Sequence, residues 1–367
     1  MTGPPRRLVV DALQVAPTFS GTGRTTRQIG QALAERPPPM LIVLRCAGDV
    51  VDILAPAFPP GTLVHTPIPS SRPRWRRLLQ QQVIGPLRED GRTLLLCPGD
   101  QGPIWGRSPL LLATHDVRRL SHPETAGFAD RMLYRIIQPR ANRRARQIFT
   151  ASQFSATEIR RMIPGARAAQ VVATHPPPEV DEVPPPTDGP LMALCALRPY
   201  KGIVDLLDAY ALAGDKLPPL ELVGAHEDGG TWVADRVRAD NLAGKVHLRG
   251  WMPDDELEQL YATAIATVHP SHHEGYGLPV GESLARGKAT VASGIPPHRE
   301  IAGDAALLFD PGDAAALADA LVRVSSDAEL RADLARRALA RSQALTAARP
   351  TWADAISQAV GREAKTG

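Results

Sequence analysis

The chain has 367 residues, of which 43% are apolar, 22% charged and 4% aromatic, a balance that excludes a disordered or fibrous protein and leaves room for two hydrophobic cores. No apolar run approaches the length that spans a bilayer. The net charge of +3 hides an asymmetry: residues 1–175 hold 24 arginines, no lysine and 11 acids, a balance of +13, and the remainder carries −10. A basic half of this kind attracts an anionic surface or substrate, and membrane lipid, lipid-linked phosphate and nucleic acid all satisfy charge alone.

Met1 to Val10 passes from a short basic stretch into a strand without a cleavable signal, so the expected location is cytoplasmic. Apolar runs at Arg7–Leu13, Met40–Cys46, Thr93–Cys97, Leu110–Thr114 and Gln147–Thr150 alternate with helical or loop segments, which predicts a parallel sheet covered on both faces. Between the first two runs, Ser20-Gly21-Thr22-Gly23-Arg24 leads into a helical segment, Thr25–Ala34. Gly21 and Gly23 at a helix start suit close approach by an anion such as a diphosphate, or form an ordinary tight turn. Ser71–Leu79 and Arg131–Arg146 mix arginines with Trp75, Leu78, Leu133 and Ile136, the composition of a face lying on anionic lipid or of a solvated helix. His115-Asp116 ends the Leu110–Thr114 strand. Ala156–Met162 has helical character with Ser155 as N-cap, and Ala169–Thr174 closes the first domain as a strand. The proline-rich, acidic segment His175–Pro190 reads as an interdomain linker.

The alternation resumes with strands at Pro190–Leu197, Leu220–Gly224, Val246–Arg249, Ile265–Val268, Ala289–Ala292 and Ala306–Phe309, and helices at Ile203–Ala213 and Thr231–Asn241. Arg198 and Lys201 fall between a strand and the next helix, at the edge where open α/β sheets bind ligands, and two cations there suit a departing nucleotide diphosphate. Asp254, Asp255 and Glu256 after Pro253 read as helix-start residues rather than a metal-binding D-x-D. His269, His272 and His273 cluster in sequence, but successive residues at a strand end point apart, so no metal site is expected. Cys46, Cys97 and Cys195 are isolated and read as small buried hydrophobes.

The densest signal is His269-Pro270-Ser271-His272-His273-Glu274-Gly275-Tyr276-Gly277-Leu278-Pro279-Val280-Gly281-Glu282. Gly275 and Gly277 admit a ligand close to the backbone, and Pro279 suits a first helical turn whose free N–H groups face a diphosphate. Glu274 and Glu282 each offer two oxygens to a sugar diol, so the stretch has the chemistry of a nucleotide-sugar site.

On these residues, and on the following Glu282–Ser293 and Arg299–Pro311, the chain resembles family 4 of the retaining glycosyltransferases, whose E-x7-E signature reads as Glu274 and Glu282. The resemblance implies the GT-B fold: two facing Rossmann-like domains with parallel sheets and an interdomain cleft. The expected domains are 1–178, with a helix of about 350–367 packed back on it, and 188–349. The resemblance further implies a metal-independent enzyme, nearest to bacterial mannosyltransferases of polysaccharide assembly, with the sugar held by Glu274, the ribose by Glu282, the diphosphate by Lys201 and Arg198, and the transferred sugar by His115. Gly21, Gly23, Gly224, Gly275, Tyr276, Gly277 and Leu278 complete the expected donor site. No cofactor beyond the nucleoside diphosphate sugar is implied, with GDP-mannose the first donor to consider. The expected partners are a saccharide or lipid-linked acceptor and an anionic membrane at the inner face, not nucleic acid. A GT-B epimerase or phosphorylase, and a non-catalytic sugar-nucleotide-binding subunit, share these features in part; product analysis separates them.

Overall fold

The computed structural model of the chain describes residues 6–17, 21–71, 74–85, 92–125, 127–173, 186–224 and 231–366. It divides into two compact units, Met1–Thr174 with Arg349–Gly367, and His175–Ala348. Most of the linker segment, residues 175–185, lies outside the described residues, as do Ser20 and Thr174.

The first unit is built on a seven-stranded sheet: β1 Arg7–Asp11, β2 Leu41–Ala47, β3 Leu63–Ile68, β4 Thr93–Cys97, β5 Leu110–Ala113, β6 Gln147–Thr150 and β7 Ala169–Val171. All are parallel, in the order β3-β2-β1-β4-β5-β6-β7. Successive residues of β1 point to opposite faces, so both faces are apolar and both are covered. Leu8 and Val10 pack with Ile29 and Leu33 of α1 (Gly21–Glu35) and with Ile356 of the helix Trp352–Thr366. Val9 faces the other way, with Ala141 of α2 (Phe128–Arg144) and Ile159 of α3 (Gln153–Met162). Trp352 meets Phe149 edge to face, ring centroids 5.5 Å apart.

Two local readings are corrected. Ser155 is not the N-cap of α3: Ser152 occupies that position, extended at φ −141°, and its hydroxyl accepts from the Ser155 N–H at 2.9 Å. The helix therefore starts at Gln153, three residues before the expected Ala156. Likewise α1 begins at Gly21, so Gly21 and Gly23 lie in its first turn and not in a preceding loop. Thr26 Oγ1 donates to the Thr22 carbonyl at 2.7 Å, which stitches that turn.

The second unit carries β8 Leu191–Leu194, β9 Leu220–Val223, β10 Val246–Gly250, β11 Ala266–His269, β12 Thr290–Ser293 and β13 Leu307–Phe309, parallel in the order β10-β9-β8-β11-β12-β13. Leu191 and Ala193 bury against α4 (Ile203–Ala213), α5 (Trp232–Ala239) and α9 (Ala314–Ser326), while Met192 faces α6 (Asp254–Thr263). The helices α7 (Leu278–Ala285), α8 (Pro296–Ala302) and α10 (Ala328–Ala347) share a smaller core around Val280, Leu284, Ile301 and Ala338. From β8 the chain moves outward to β9 on one side and, later, to β11 on the other. That reversal opens a crevice at the carboxyl ends of β8 and β11, the switch point where doubly wound sheets bind ligands.

Candidate active site

A small concavity lies at this switch point, lined by Leu194 and Cys195 from the end of β8, by Val268 to Ser271 from the end of β11, and by Glu274, Pro279, Val280 and His298. The residues that hold its charge come from two loops. After β8, a short turn at Pro199–Lys201 delivers Lys201, and after β11 the Ser271–Gly277 turn delivers Glu274. Lys201 Nζ donates to Glu274 Oε1 at 2.7 Å, and the Ser271 hydroxyl donates to the same oxygen at 2.8 Å. Both charged side chains are largely buried, 15% and 14% exposed.

Backbone geometry makes that pairing local. Gly202, at φ +67°, sits so near Pro270 that a Cβ would stand 2.0 Å from the Pro270 carbonyl oxygen, so the two loops touch through a residue with no side chain. The His272 N–H donates to the Tyr200 carbonyl at 2.9 Å, and the His272 ring lies 2.6 Å from Asp205 of α4. Lys201 and Glu274 are thereby fixed in place by their own loops.

Burial raises the Glu274 carboxyl, but the Lys201 charge and the Ser271 hydrogen bond outweigh it and hold Glu274 below its ordinary 4.5. Burial lowers Lys201, and Glu274 outweighs that in turn, so Lys201 is held above 10.5. The pair is ionised at neutral pH, a fixed cation beside a fixed anion. Burial pushes the Cys195 thiol up to about 12, so it stays protonated and acts as lining, not as a nucleophile. His269, fully enclosed, is pushed down to about 3, first by burial and then by His298.

The turn after Glu274 ends at Gly277, whose φ of +96° and whose contact with the His298 ring leave no space for a Cβ. Leu278 opens α7 with Pro279 in its first turn. Glu282, one helical turn further, has a buried side chain, and its carbonyl accepts from Arg286. Tyr276 is half-buried against Gly281. Arg198 stands just before the Lys201 turn, half-buried, its N–H bonded to the Ala196 carbonyl. Gly224 follows β9 and donates to the Gly250 carbonyl at 2.8 Å. Glu274, Lys201, Gly275 to Leu278 and Glu282 are thus gathered around one sheet edge in the second unit.

Gly21, Gly23 and His115 belong to the first unit. His115 follows β5, its N–H donates to Asp100 Oδ1 at 2.7 Å, and its Nε2 lies 3.0 Å from the Pro98 carbonyl. Asp100 also faces Arg119, at 3.8 Å, and burial, followed by the charge of Asp116, holds its carboxyl above the ordinary 3.8. Two residues near these sites carried no local sequence signal: Asp100, which anchors the His115 backbone, and His298, which lines the concavity beside Glu274.

Two parallel, doubly wound sheets, together with a likeness over nearly the whole chain to solved glycosyltransferase structures, give the fold class, GT-B. Residues 183–341 match the model of the family described as Glycosyl transferases group 1. The chain is 29% identical to O-antigen chain mannosyltransferase B of Escherichia coli over 235 residues, 59% of this chain and 60% of that protein. It is 33% identical to the phosphatidyl-myo-inositol mannosyltransferase of Mycolicibacterium smegmatis over 151 residues, 39% of this chain and 38% of the relative. Among solved structures it resembles HepE of Anabaena, crystallised with UDP and glucose, at a TM-score of 0.72 and 19% identity over 99% of this chain and 100% of that one. It also resembles WaaG, a glycosyltransferase involved in lipopolysaccharide biosynthesis, at a TM-score of 0.68 and 14% identity over 96% and 99%. The chain therefore spans about 60% of the length of the O-antigen enzyme that it matches, and the whole length of folds such as HepE.

Proposed function

We propose that the protein is a retaining, metal-independent hexosyltransferase. It moves a hexose or deoxyhexose from a nucleoside diphosphate sugar to a hydroxyl of a saccharide or lipid-linked acceptor, in polysaccharide or glycolipid assembly. GDP-mannose is the first donor to test, because the relatives are mannosyltransferases. The observation that carries the reading is the ionised Lys201–Glu274 pair at the sheet's switch point, beside the Gly275–Gly277 turn that starts α7. Glu274 takes sugar hydroxyls, Lys201 with Arg198 offsets the charge that grows on the leaving diphosphate, Glu282 holds the ribose, and His115 contacts the transferred sugar. With the leaving phosphate helping to deprotonate the acceptor, no protein nucleophile is required, and the rate enhancement is electrostatic and positional.

The location that goes with this reading is cytoplasmic and peripheral, with the basic first unit against anionic lipid. No described helix is long and apolar enough to cross a membrane.

The test is a melting-temperature panel of GDP, UDP, GDP-mannose and UDP-glucose, since a ligand at a hundred times its Kd stabilises the fold by about 2.7 kcal/mol. Transfer is then assayed from the best donor in EDTA, with the anomeric configuration of the product read by NMR. A panel without any shift removes the nucleotide site. An inverted product or a metal requirement removes the retaining, metal-independent mechanism.

A further inference from the structure

His298 lies in α8 and is 1% exposed, yet it lines the concavity that holds Glu274. Its Nδ1 is 3.0 Å from the Ser293 carbonyl oxygen and 3.1 Å from the Ser293 hydroxyl oxygen. The carbonyl can only accept, and the Ser293 hydroxyl donates its own hydrogen to the Ser271 carbonyl. Both partners of Nδ1 are therefore acceptors, which places the ring proton on Nδ1. Burial, outweighing the opposing charge of Glu274, holds the ring below its ordinary 6.5, so the imidazole is neutral. Nε2 is left with a lone pair and no hydrogen-bond partner among the described residues.

The neighbouring His269 is oriented the other way. Its Nε2 lies 3.0 Å from the Ser283 oxygen, whose hydrogen goes to the Pro279 carbonyl, so His269 donates through Nε2 and its acceptor nitrogen is Nδ1. His298 instead presses its ring edge against Gly277, where a Cβ would come within 2.7 Å of Cδ2 and 3.0 Å of Nε2. The acceptor nitrogen thus stands beside the turn that also presents Glu274. Nε2 is not among the fully buried atoms that lack a partner, so it keeps some accessible surface on the concavity and takes its hydrogen bond from whatever fills that space, water or ligand. A ligand that displaces the water has to offer Nε2 a donor. An ionised diphosphate carries none, whereas every free hydroxyl of a hexose does.

We propose that His298 is a specificity-determining residue whose Nε2 accepts a hydrogen bond from one hydroxyl of the donor hexose, beside the hydroxyls taken by Glu274. This rests on the nucleotide-sugar reading above. His298→Asn keeps an N–H near the Nδ1 position for the Ser293 carbonyl and deletes the Nε2 acceptor. His298→Gln carries an amide out to the Nε2 position.

The experiment compares both variants with the wild type on GDP-mannose and its 2-, 3-, 4- and 6-deoxy analogues, with the UDP-glucose series alongside. Expected is a fall of at least tenfold in kcat/KM for His298→Asn on the parent donor, with partial recovery in His298→Gln. For one deoxy analogue the wild type should fall to the level of His298→Asn, and the substitution should then make no further difference. An unimpaired His298→Asn overturns the proposal, as does an equal proportional loss on the parent donor and all four analogues. Failure of both variants to fold also overturns it, since the ring would then be structural. A wild type that transfers from neither donor series removes the nucleotide-sugar reading and this inference together. An active wild type with an unimpaired variant removes this inference alone.

Discussion

Lys201 and Glu274 hold each other ionised in a site that excludes most water, so removing either one leaves a buried charge without its counter-ion. That costs about 3 kcal/mol, which a domain stable by about 5–15 kcal/mol survives. Glu274→Ala and Lys201→Ala should therefore fold, with transfer reduced about a hundredfold or more, the scale of one preorganised electrostatic partner. Wild-type rates in either variant would show that the chemistry lies elsewhere. The pH dependence follows from the same pair. A carboxyl held below 4.5 contributes stability that is present above that value and lost as pH falls through the lower folded value. A lysine held above 10.5 contributes stability that is present below that value and lost as pH rises through the higher folded one. The urea midpoints of the wild type and of Glu274→Gln should differ at pH 7 and converge in acid below pH 4.5, and a constant gap down to the acid limit would contradict the ion pair. Gly202→Ala tests the loop contact: the new Cβ meets the Pro270 carbonyl at 2.0 Å, and the melting temperature should drop by several degrees or folding should fail.

The N-cap of α3 is the clearest case in which an element's boundary depends on geometry. Ser152→Ala removes the acceptor for the Ser155 N–H and should cost about 1 kcal/mol in urea unfolding, whereas an unchanged midpoint would mean that the cap is idle. Ser152 and Ser155 both suit an N-cap, and only the extended backbone at Ser152 selects between them. Most strands were legible because runs such as Thr93–Cys97 are apolar on both faces, the pattern of a sheet covered by helices on each side. β3 was not. Leu63–Ile68 is an edge strand whose first four residues are exposed, it contains Pro67, and its register with β2 shifts, so neither alternation nor an apolar run marks it. At the site, the Glu274–Glu282 stretch announced itself through its glycines and proline within nine residues. His298 lies outside that stretch, and its role depends on which tautomer Ser293 and Ser271 impose, a matter of hydrogen bonds that local sequence does not encode.

At the scale of the whole molecule, the separation of charge along the chain, +13 in residues 1–175 against −10 beyond, is the feature with a consequence for location. In the first unit the arginines accompany exposed apolar groups. Phe128, Met132 and Ile136 recur every four residues along α2 and are 78%, 47% and 46% exposed, with Arg135 and Arg140 exposed on the same helix. The helix Arg74–Leu79 is tied to α2 by an ion pair between Arg74 and Asp130, and it exposes Trp75 and Leu79. Apolar side chains set among arginines suit the boundary of an anionic bilayer, where each cation near the surface contributes about 1 kcal/mol and the apolar groups enter the acyl region. Vesicles containing phosphatidylglycerol should sediment the protein at low salt and release most of it near 0.5 M NaCl, because screening shortens the Debye length to a few ångströms. Phe128→Ser with Met132→Ser and Ile136→Ser should weaken the binding that remains at intermediate salt, while leaving transfer to a soluble acceptor unchanged. Binding that ignores salt, or equal retention on neutral phosphatidylcholine vesicles, would show that the arginine-rich face is merely solvated.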